Sequence, residues 1–458
     1  MSRKYFGTDG VRGVANGKLT PELAFQLGWA AGRWLKSSDQ PHRAVIGRDT
    51  RRSGPMLGAA LAAGLCSAGI DVVAIGHAPT PTISFLARTG DYGLGGIISA
   101  SHNPAPDNGV KFVGHDGRKL PDEVEALIES LMDPVVDRPE GREVGYLNAS
   151  TDVEAYLQFL EAIVPERLDG VRVAVDAAHG AAYHLGPEIL RRLGAIVFST
   201  GVTPDGMNIN AEGGATKPET IQEFTVRGQA EIGVAFDGDA DRAVFSDDKG
   251  RLINGDRTLG IWASDAQERG ELVPPIVVGT VMSNGGFEAF LKSKEIQLER
   301  TPVGDKYVAQ KLAQTGALIG GEQSGHVIFP HHGPTGDGLV TMLELLRVLR
   351  RTGKSASELY DIYAPWPQIL VNMTVRSTVG WEQVPEVASA LDAGLVRLGG
   401  EGRLVVRASG TQPMVRVMVE ASSYELRDEI SAIVVQAMVA SLEGRIYSQV
   451  DLTHALGD

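Results

Sequence analysis

Gly95-Gly96-Ile97-Ile98-Ser99-Ala100-Ser101-His102-Asn103-Pro104 is the stretch around which the chain is organised. Gly96 to Ile98 is a short apolar run of the kind a buried strand carries, and it ends in a loop that cannot become a helix. Pro104 and Pro106 each lack an amide donor, and each pushes the residue before it away from helical angles. Asp107-Asn108-Gly109 reads as a turn, after which Val110 to Val113 resumes an extended pattern carrying Lys111. A serine on a rigid loop at a strand end, with His102 beside it and Lys111 ten residues after Ser101, suits nucleophilic work. A solvated turn would look much the same, so this stretch does not decide the chemistry alone.

Outward from it, the pattern alternates. Thr20-Pro21 caps a helix that places Leu23, Leu27, Ala30, Ala31 and Trp34 on one face. Ala44 to Gly47 is a short strand, followed by Arg48-Asp49-Thr50-Arg51 and a helix from Pro55 to Ala68; Asp71 to Gly76 is the next strand. Met132 to Ala149 reads as a linker, and then the alternation restarts. Helix Asp152 to Ile163, strand Val171 to Asp176, helix Pro187 to Leu193 and strand Ala195 to Ser199 are followed by a long polar loop and a strand from Glu231 to Phe236. A third block starts near Asn254, with a strand at Ile276 to Gly279, helices around Phe287 and Val308, and a helix Leu339 to Leu349. Beyond Pro365-Trp366-Pro367 the order becomes strand, helix, two strands, helix. The expectation is three consecutive α/β domains with mixed, largely parallel sheets plus a C-terminal α+β domain, with boundaries at 1–150, 151–253, 254–366 and 367–458.

The 458 residues carry 43 Lys and Arg against 57 Asp and Glu, a formal charge of −14, which is the wrong sign for a general nucleic-acid binder. The N-terminus, Met1-Ser2-Arg3-Lys4-Tyr5, has no apolar core resembling a signal sequence. Apolar segments such as Ile430 to Leu442 are too short to span a bilayer. Cys66 is the sole cysteine, sits in an alanine-rich helical pattern and is expected to be buried; with no disulfide framework, a reducing cytoplasm is the expected location. No membrane or nucleic-acid partner is expected.

Asp237-Gly238-Asp239-Ala240-Asp241-Arg242 places three carboxylates at alternate positions directly after an apolar strand. In an extended segment such side chains point one way and converge on a hard cation, and three like charges buried together call for one. A calcium loop is the rival, but Arg242 stands where that loop needs glycine and Asp248 replaces its glutamate; magnesium is favoured. Metal plus serine suggests phosphoryl transfer.

Two further loops bear polar chemistry. Arg407-Ala408-Ser409-Gly410-Thr411-Gln412-Pro413, with Arg416 beyond, combines guanidinium forks, hydroxyls and a glycine, the parts of a phosphate cradle. Glu322, Ser324 and His326 around Gly325 offer an acceptor, a donor–acceptor and a titratable ring to sugar hydroxyls.

Together Ser99 to Pro104, Asp237 to Arg242, Gly321 to His326 and Arg407 to Thr411 resemble the α-D-phosphohexomutase family, in the family's order and one per domain, across essentially the whole chain. Phe6-Gly7-Thr8-Asp9-Gly10-Val11-Arg12-Gly13 and Gln323 resemble the branch acting on amino-sugar phosphates rather than on mannose or glucose phosphates. The resemblance implies that Ser101 carries a phosphate and that one Mg²⁺ per chain is held by Asp237, Asp239, Asp241 and a phosphoryl oxygen of Ser101. It places Arg12, Lys111 and His102 beside the reacting group, makes His326 a candidate proton shuttle, and assigns Glu322, Ser324 and Gly325 to the sugar. Arg407, Ser409, Gly410, Thr411 and Arg416 match the site of the phosphate that does not react, and Arg242 and Asp305 complete the site. The implied reaction moves phosphate between positions 6 and 1 of a hexosamine phosphate, with the sugar 1,6-bisphosphate as intermediate and activator and the four domains arranged around a central cleft. A homodimer is left open. Departures are Gln412 for glutamate, Ala215 and Lys217 for serine and histidine, and Asp305 where the phosphomannomutase branch has histidine. A serine phosphoenzyme phosphatase and a non-catalytic phosphosugar-binding protein are the readings from other classes.

Overall fold

The structure, a computed structural model, describes residues 3–7, 9–132, 138–151, 153–408 and 414–456. Four sheets follow one another along the chain, of six, five, four and four strands. In the first, the order across the sheet is Val11–Val14, Asp107–Gly114, Leu94–Ile98, Arg43–Arg48, Asp71–His77 and Leu147–Ala149. The last four of these run parallel, and the first two pair antiparallel. Helices Pro21–Lys36 and Gly54–Ser67 cross in near contact: a Cβ on Gly28 would lie 2.2 Å from the Leu61 carbonyl oxygen, and one on Gly64 2.2 Å from that of Phe25. This close packing over the apolar strands builds a core of Leu27, Leu57, Leu61, Leu65 and Phe112 and leaves the loops after Arg48 and Ile98 at one end of the sheet. Ligands of α/β sheets bind at the carboxyl ends of the parallel strands.

The second sheet is mixed, with Leu252–Ile253, Ala243–Asp247, Ile232–Phe236, Arg172–Asp176 and Ile196–Thr200 in that order. The third is mixed as well, with Gln297–Thr301, Ile276–Thr280, Gly320–Gly321 and Val327–Ile328. One continuous core, from Tyr156 and Leu160 through Trp262 to Leu343, runs under both. The fourth sheet is wholly antiparallel, in the order Gly402–Ala408, Met414–Ala421, Gln368–Thr374, Arg445–Asp451, with helices Pro385–Leu398 and Tyr424–Ser441 following its strands. Among the described residues no helix is long and apolar enough to cross a membrane.

Several expectations need correction. Asp107, Asn108 and Gly109 are the first residues of a strand rather than a turn; they pair with Val14, Gly13 and Arg12, and the turn falls one step earlier, at Ala105-Pro106. The end of the linker, Leu147–Ala149, is an edge strand parallel to Asp71–His77. The long polar loop before Glu231 contains the helix Glu219–Arg227, the third block contains the helix Gly255–Glu268, and the C-terminal sheet gains Arg445–Asp451. Cys66 is half-buried against the first core rather than fully buried.

Candidate active site

The Ser101 loop is held from beneath by a single side chain. Leu94–Ile98 is buried along its whole length, and Ser101 follows it in the left-handed region, at φ 51°, which non-glycine residues enter only when their surroundings impose it. The Arg51 guanidinium, fully buried, donates to the carbonyls of Ser101 at 2.9 Å, Asn103 at 2.8 Å and Asp107 at 2.9 Å, and also to that of Pro104. Its Nε donates to Asp49 Oδ2 at 2.8 Å, which keeps the buried charge paired. Ser99 Oγ donates to the same carboxylate oxygen at 2.6 Å and accepts from the Ser101 amide at 2.9 Å. Ser99 is thus spent on the loop, while the Ser101 hydroxyl faces outward to Asp237. From the second domain, Asn210 Nδ2 donates to the Ser101 carbonyl at 2.9 Å and to that of Asn103 at 3.2 Å.

Sequence reasoning gave Arg51 and Asn210 no role. The available signal was Arg48-Asp49-Thr50-Arg51 at the carboxyl end of an apolar strand; for Asn210, in a polar loop, there was none.

Strand Ile232–Phe236 delivers the aspartates, yet they do not lie in an extended segment. Residues 237–242 form a tight hairpin loop with Ala240 left-handed at φ 56°, and the carboxylates converge because the loop turns. Gly238 is required there, since a Cβ would stand 2.5 Å from the Ser101 carbonyl oxygen. Asp237, Asp239 and Asp241 each offer an oxygen, all within 4.8 Å of one another. Ser101 Oγ donates to Asp237 Oδ2 at 2.6 Å. Asp239 Oδ2 receives Thr80 Oγ1 at 2.6 Å and Lys111 Nζ at 3.1 Å, whereas Oδ1 of Asp239 and Oδ1 of Asp241 are buried and accept no hydrogen bond, the latter with Arg242 Nε at 4.0 Å.

Burial, with Asp241 and Asp239 alongside, pushes the Asp237 carboxyl well above the usual range; burial and Asp239 also raise that of Asp241. Burial also opposes ionisation of Asp239, but Lys111, Thr80 and Arg12 outweigh it and hold that carboxyl low. Convergent buried carboxylate oxygens that accept no hydrogen bond fit a hard divalent cation, which would remove the mutual repulsion.

Positive charge surrounds this loop. Asp9 pairs with Arg12 and with Lys111 Nζ, the latter at 2.9 Å. Burial disfavours the Lys111 ammonium, but Asp239 and Asp9 more than restore it, so the side chain stays charged. His102 Nδ1 lies 3.3 Å from Ser101 Oγ; burial, with Arg242 and Arg12 near, lowers its pKa to about 4 and leaves the ring neutral at physiological pH. The Nε atoms of Arg12 and Arg242 and Nδ1 of His326 are buried and make no hydrogen bond. Arg242 and His326 form a bridge between the second and third domains, and the Ala243 amide donates to the Gly325 carbonyl at 3.0 Å. Glu322 accepts from the Gly304 amide at 2.9 Å, next to Asp305 at the start of helix Asp305–Thr315; Ser324 lies in the same turn as Gly325. Asp305 and His326 line a cavity of about 470 Å³ together with Arg118 and Thr335.

The chain thus brings Ser101, His102, Arg12, Lys111, the three aspartates, Arg242, His326, Gly325, Glu322 and Asp305 into one connected region. Arg407 and Arg416 stand apart on the C-terminal sheet, directly opposite each other across two strands, with Nε of Arg416 buried and unpartnered. Two like charges in that register are unfavourable unless an anion lies between them. Ser409, Gly410, Thr411 and Gln412 lie outside the described residues. Ala215 belongs to a small core and Lys217 ties its ammonium to the Ala211 carbonyl, so neither faces the aspartates through a described contact.

Serine, carboxylate triplet and converging cations on an α/β framework define an enzyme that moves phosphoryl groups. The chain belongs to the phosphoglucomutase/phosphomannomutase family, intramolecular phosphotransferases: α/β/α domain I matches residues 3–136, domain II 154–250, domain III 254–366 and the C-terminal domain 370–437. Over 443 residues it is 45% identical to the phosphoglucosamine mutase of Nitrobacter winogradskyi, covering 96% of this chain and 99% of that protein. Among solved structures, a phosphoglucomutase/phosphomannomutase family protein from Burkholderia thailandensis superposes with a TM-score of 0.78 at 25% identity, over 95% of this chain and 97% of that one. The N-acetylphosphoglucosamine mutase of Aspergillus fumigatus, solved with GlcNAc-6P and magnesium, has the same fold at a TM-score of 0.63 and 19% identity, over 95% of this chain and 96% of that one.

Proposed function

We propose that the chain interconverts glucosamine 6-phosphate and glucosamine 1-phosphate through a phosphorylated Ser101 and a glucosamine 1,6-bisphosphate. The observation that carries the mechanism is Ser101 Oγ at 2.6 Å from Asp237, beside two buried carboxylate oxygens that accept no hydrogen bond. The choice of sugar is supported by the 45% identity to a phosphoglucosamine mutase over nearly the full chain.

In the first half-reaction the sugar 1-hydroxyl attacks phosphorus. The O1–P bond forms, the Ser101 Oγ–P bond breaks, and the hydroxyl proton passes to a base, for which His326 is the candidate. The bisphosphate then turns end for end. Ser101 Oγ takes the phosphoryl group from O6, the O6–P bond breaks, and the proton is returned to O6. Asp237, Asp239 and Asp241 would hold magnesium beside the phosphoryl group on Ser101, where it would neutralise charge on the group transferred. Arg12 and Lys111 place fixed positive charge beside that group, while neutral His102 donates or accepts a hydrogen bond without adding charge.

Glu322, Ser324 and the Gly325 turn meet the sugar, and Arg242 and Asp305 flank it. Arg407 and Arg416, with the loop 409–411, grip the phosphate that does not react. On this reading domains 1–150, 151–253, 254–366 and 367–458 supply the serine, the metal, the sugar contacts and the phosphate grip around a shared cleft, in a cytoplasmic enzyme.

Comparison of kcat/KM for glucosamine, glucose and mannose 6-phosphates, in the presence of Mg²⁺ and trace bisphosphate, tests the proposal. The expected result is a clear preference for glucosamine 6-phosphate. Equal or better turnover of the other sugars would remove the substrate assignment, and release of free phosphate without isomer would indicate a phosphatase instead.

A further inference from the structure

In the third domain, a loop and a helix bring together three donors that the proposed chemistry does not use. His331 and His332 are adjacent in the loop that leads into helix Gly338–Thr352, and Glu344 lies on that helix with 3% exposure. One donor atom from each of the three lies within 4.8 Å of the others. The two imidazoles have centroids 4.1 Å apart at 46°, and His332 Nε2 is 2.7 Å from Glu344 Oε1.

The surroundings are those of a ligand set with its outer contacts in place. Trp262 Nε1 donates to the other carboxylate oxygen of Glu344 at 2.8 Å, which fixes the carboxylate plane and leaves Oε1 to face the histidines. The His331 ring stacks on Trp262 at 28° and meets the edge of Phe329, while His332 meets the edges of Phe159 and Phe329. The backbone of His332 is fixed at both groups, its amide donating to the Phe329 carbonyl at 2.9 Å and its carbonyl accepting from Arg88 at 2.8 Å. Arg347, one turn after Glu344, is engaged with Glu166. The His332–Glu344 contact and the stacking of His331 on Trp262 hold the three donors in one place.

We propose that His331, His332 and Glu344 form a second cation site, of the two-histidine, one-carboxylate type, that takes a divalent first-row transition ion. His332 Nε2 and Glu344 Oε1 stand at hydrogen-bond distance, a contact that an ion would replace on binding, and a mixed imidazole–carboxylate set suits a first-row transition ion. Imidazole ligands favour such ions over magnesium, which suits the all-oxygen aspartate set. His331 is exposed, which leaves a path for the ion and open positions for water. The site is independent of the sugar assignment.

Calorimetric titration of the full chain with Co²⁺, in excess Mg²⁺ to occupy the aspartates, tests it. Wild type is expected to bind about one equivalent, with His331→Ala about tenfold weaker or more and Asp239→Asn unchanged at this site. Because His331 is exposed and its ring contacts are Trp262, Phe329 and His332, none of them assigned to phosphoryl transfer, His331→Ala should keep its circular dichroism and its Mg²⁺-supported turnover. Equal Co²⁺ affinity in wild type and His331→Ala, or loss of all Co²⁺ binding in Asp239→Asn, would overturn the proposal, as would no uptake beyond Mg²⁺.

Discussion

Thr80 Oγ1 donates to Asp239 Oδ2 at 2.6 Å, and the Thr80 amide donates to the Asp239 carbonyl at 2.9 Å. A threonine at the start of a first-domain helix therefore holds a second-domain carboxylate by both its side chain and its backbone. The hydroxyl also selects an oxygen: with Thr80 and Lys111 both on Oδ2, Oδ1 is the atom left for a cation. Thr80→Val keeps the shape and the amide contact but loses the hydroxyl. It is expected to weaken Mg²⁺ binding about tenfold, measured by calorimetry on the full chain, with Thr80→Ser restoring it. Undiminished affinity in Thr80→Val would show that the hydroxyl does not orient the carboxylate.

Asn210 reaches across the same domain junction to the carbonyls of Ser101 and Asn103, and its own backbone is left-handed at φ 57°. Arg51 supports the loop from the other side and is so deeply buried that its removal would disturb the whole first domain. Asn210→Ala is the more informative change. Losing two hydrogen bonds to buried carbonyls should destabilise the fold by about 1–3 kcal/mol. The Ser101 loop should then exchange its amides faster than the rest of the first sheet, and turnover should fall by at least about tenfold, in line with a misplaced nucleophile. Unaltered hydrogen exchange in residues 99–106 would separate Asn210 from the serine loop.

The sequence and the structure agree where periodicity and chemistry coincide. Gly95 to Pro104 reads correctly as a buried strand running into a loop because Ile97 and Ile98 are apolar and Pro104 forbids a helix. The aspartate triplet was legible from spacing, but for an incomplete reason. Alternation of side chains belongs to strands, whereas residues 237–242 are a hairpin loop whose left-handed Ala240 brings the carboxylates together, a conformation alanine does not advertise. Helix Glu219–Arg227 escaped notice because only Ile221 and Thr225 on it are buried, too few to stand out from the polar loop before it. Arg51 and Asn210 act through backbone carbonyls, and a hydrogen bond to a distant carbonyl leaves no pattern in the sequence of either partner.

Arg416 offers a test of the proposed phosphate grip that is separate from Ser101. Its Nε is buried and unpartnered, and it faces Arg407 across the two strands. If a phosphate occupies that position, Arg416→Gln removes a charge-assisted contact of roughly 1.5–3 kcal/mol. KM for the sugar phosphate should rise by about tenfold to a hundredfold. Phosphate incorporation into Ser101 from the bisphosphate should persist at saturating concentration, since the aspartate loop is untouched. A loss of kcat with KM unchanged would move Arg416 out of the binding role.

Asp256 gives a pH signature at the junction of the third and fourth domains. It is fully buried, accepts from the Asn284 amide at 2.8 Å, and has one oxygen without a partner. Burial raises its pKa to about 6, against partial relief from the Asn284 amide, Ser283 and Arg300, with Glu420 adding to the rise. The folded chain therefore binds a proton here that the unfolded chain releases near pH 4. The neutral acid's contribution to stability is complete below the unfolded pKa and is lost as pH climbs through about 6. Asp256→Asn, which keeps the acceptor and never ionises, should gain stability relative to wild type across that interval, by at most about 3 kcal/mol above pH 7. Denaturant unfolding of both proteins between pH 4 and pH 8 measures the difference. A gap between variant and wild type that stays constant with pH would mean that the Asp256 carboxyl has the same affinity for its proton folded and unfolded.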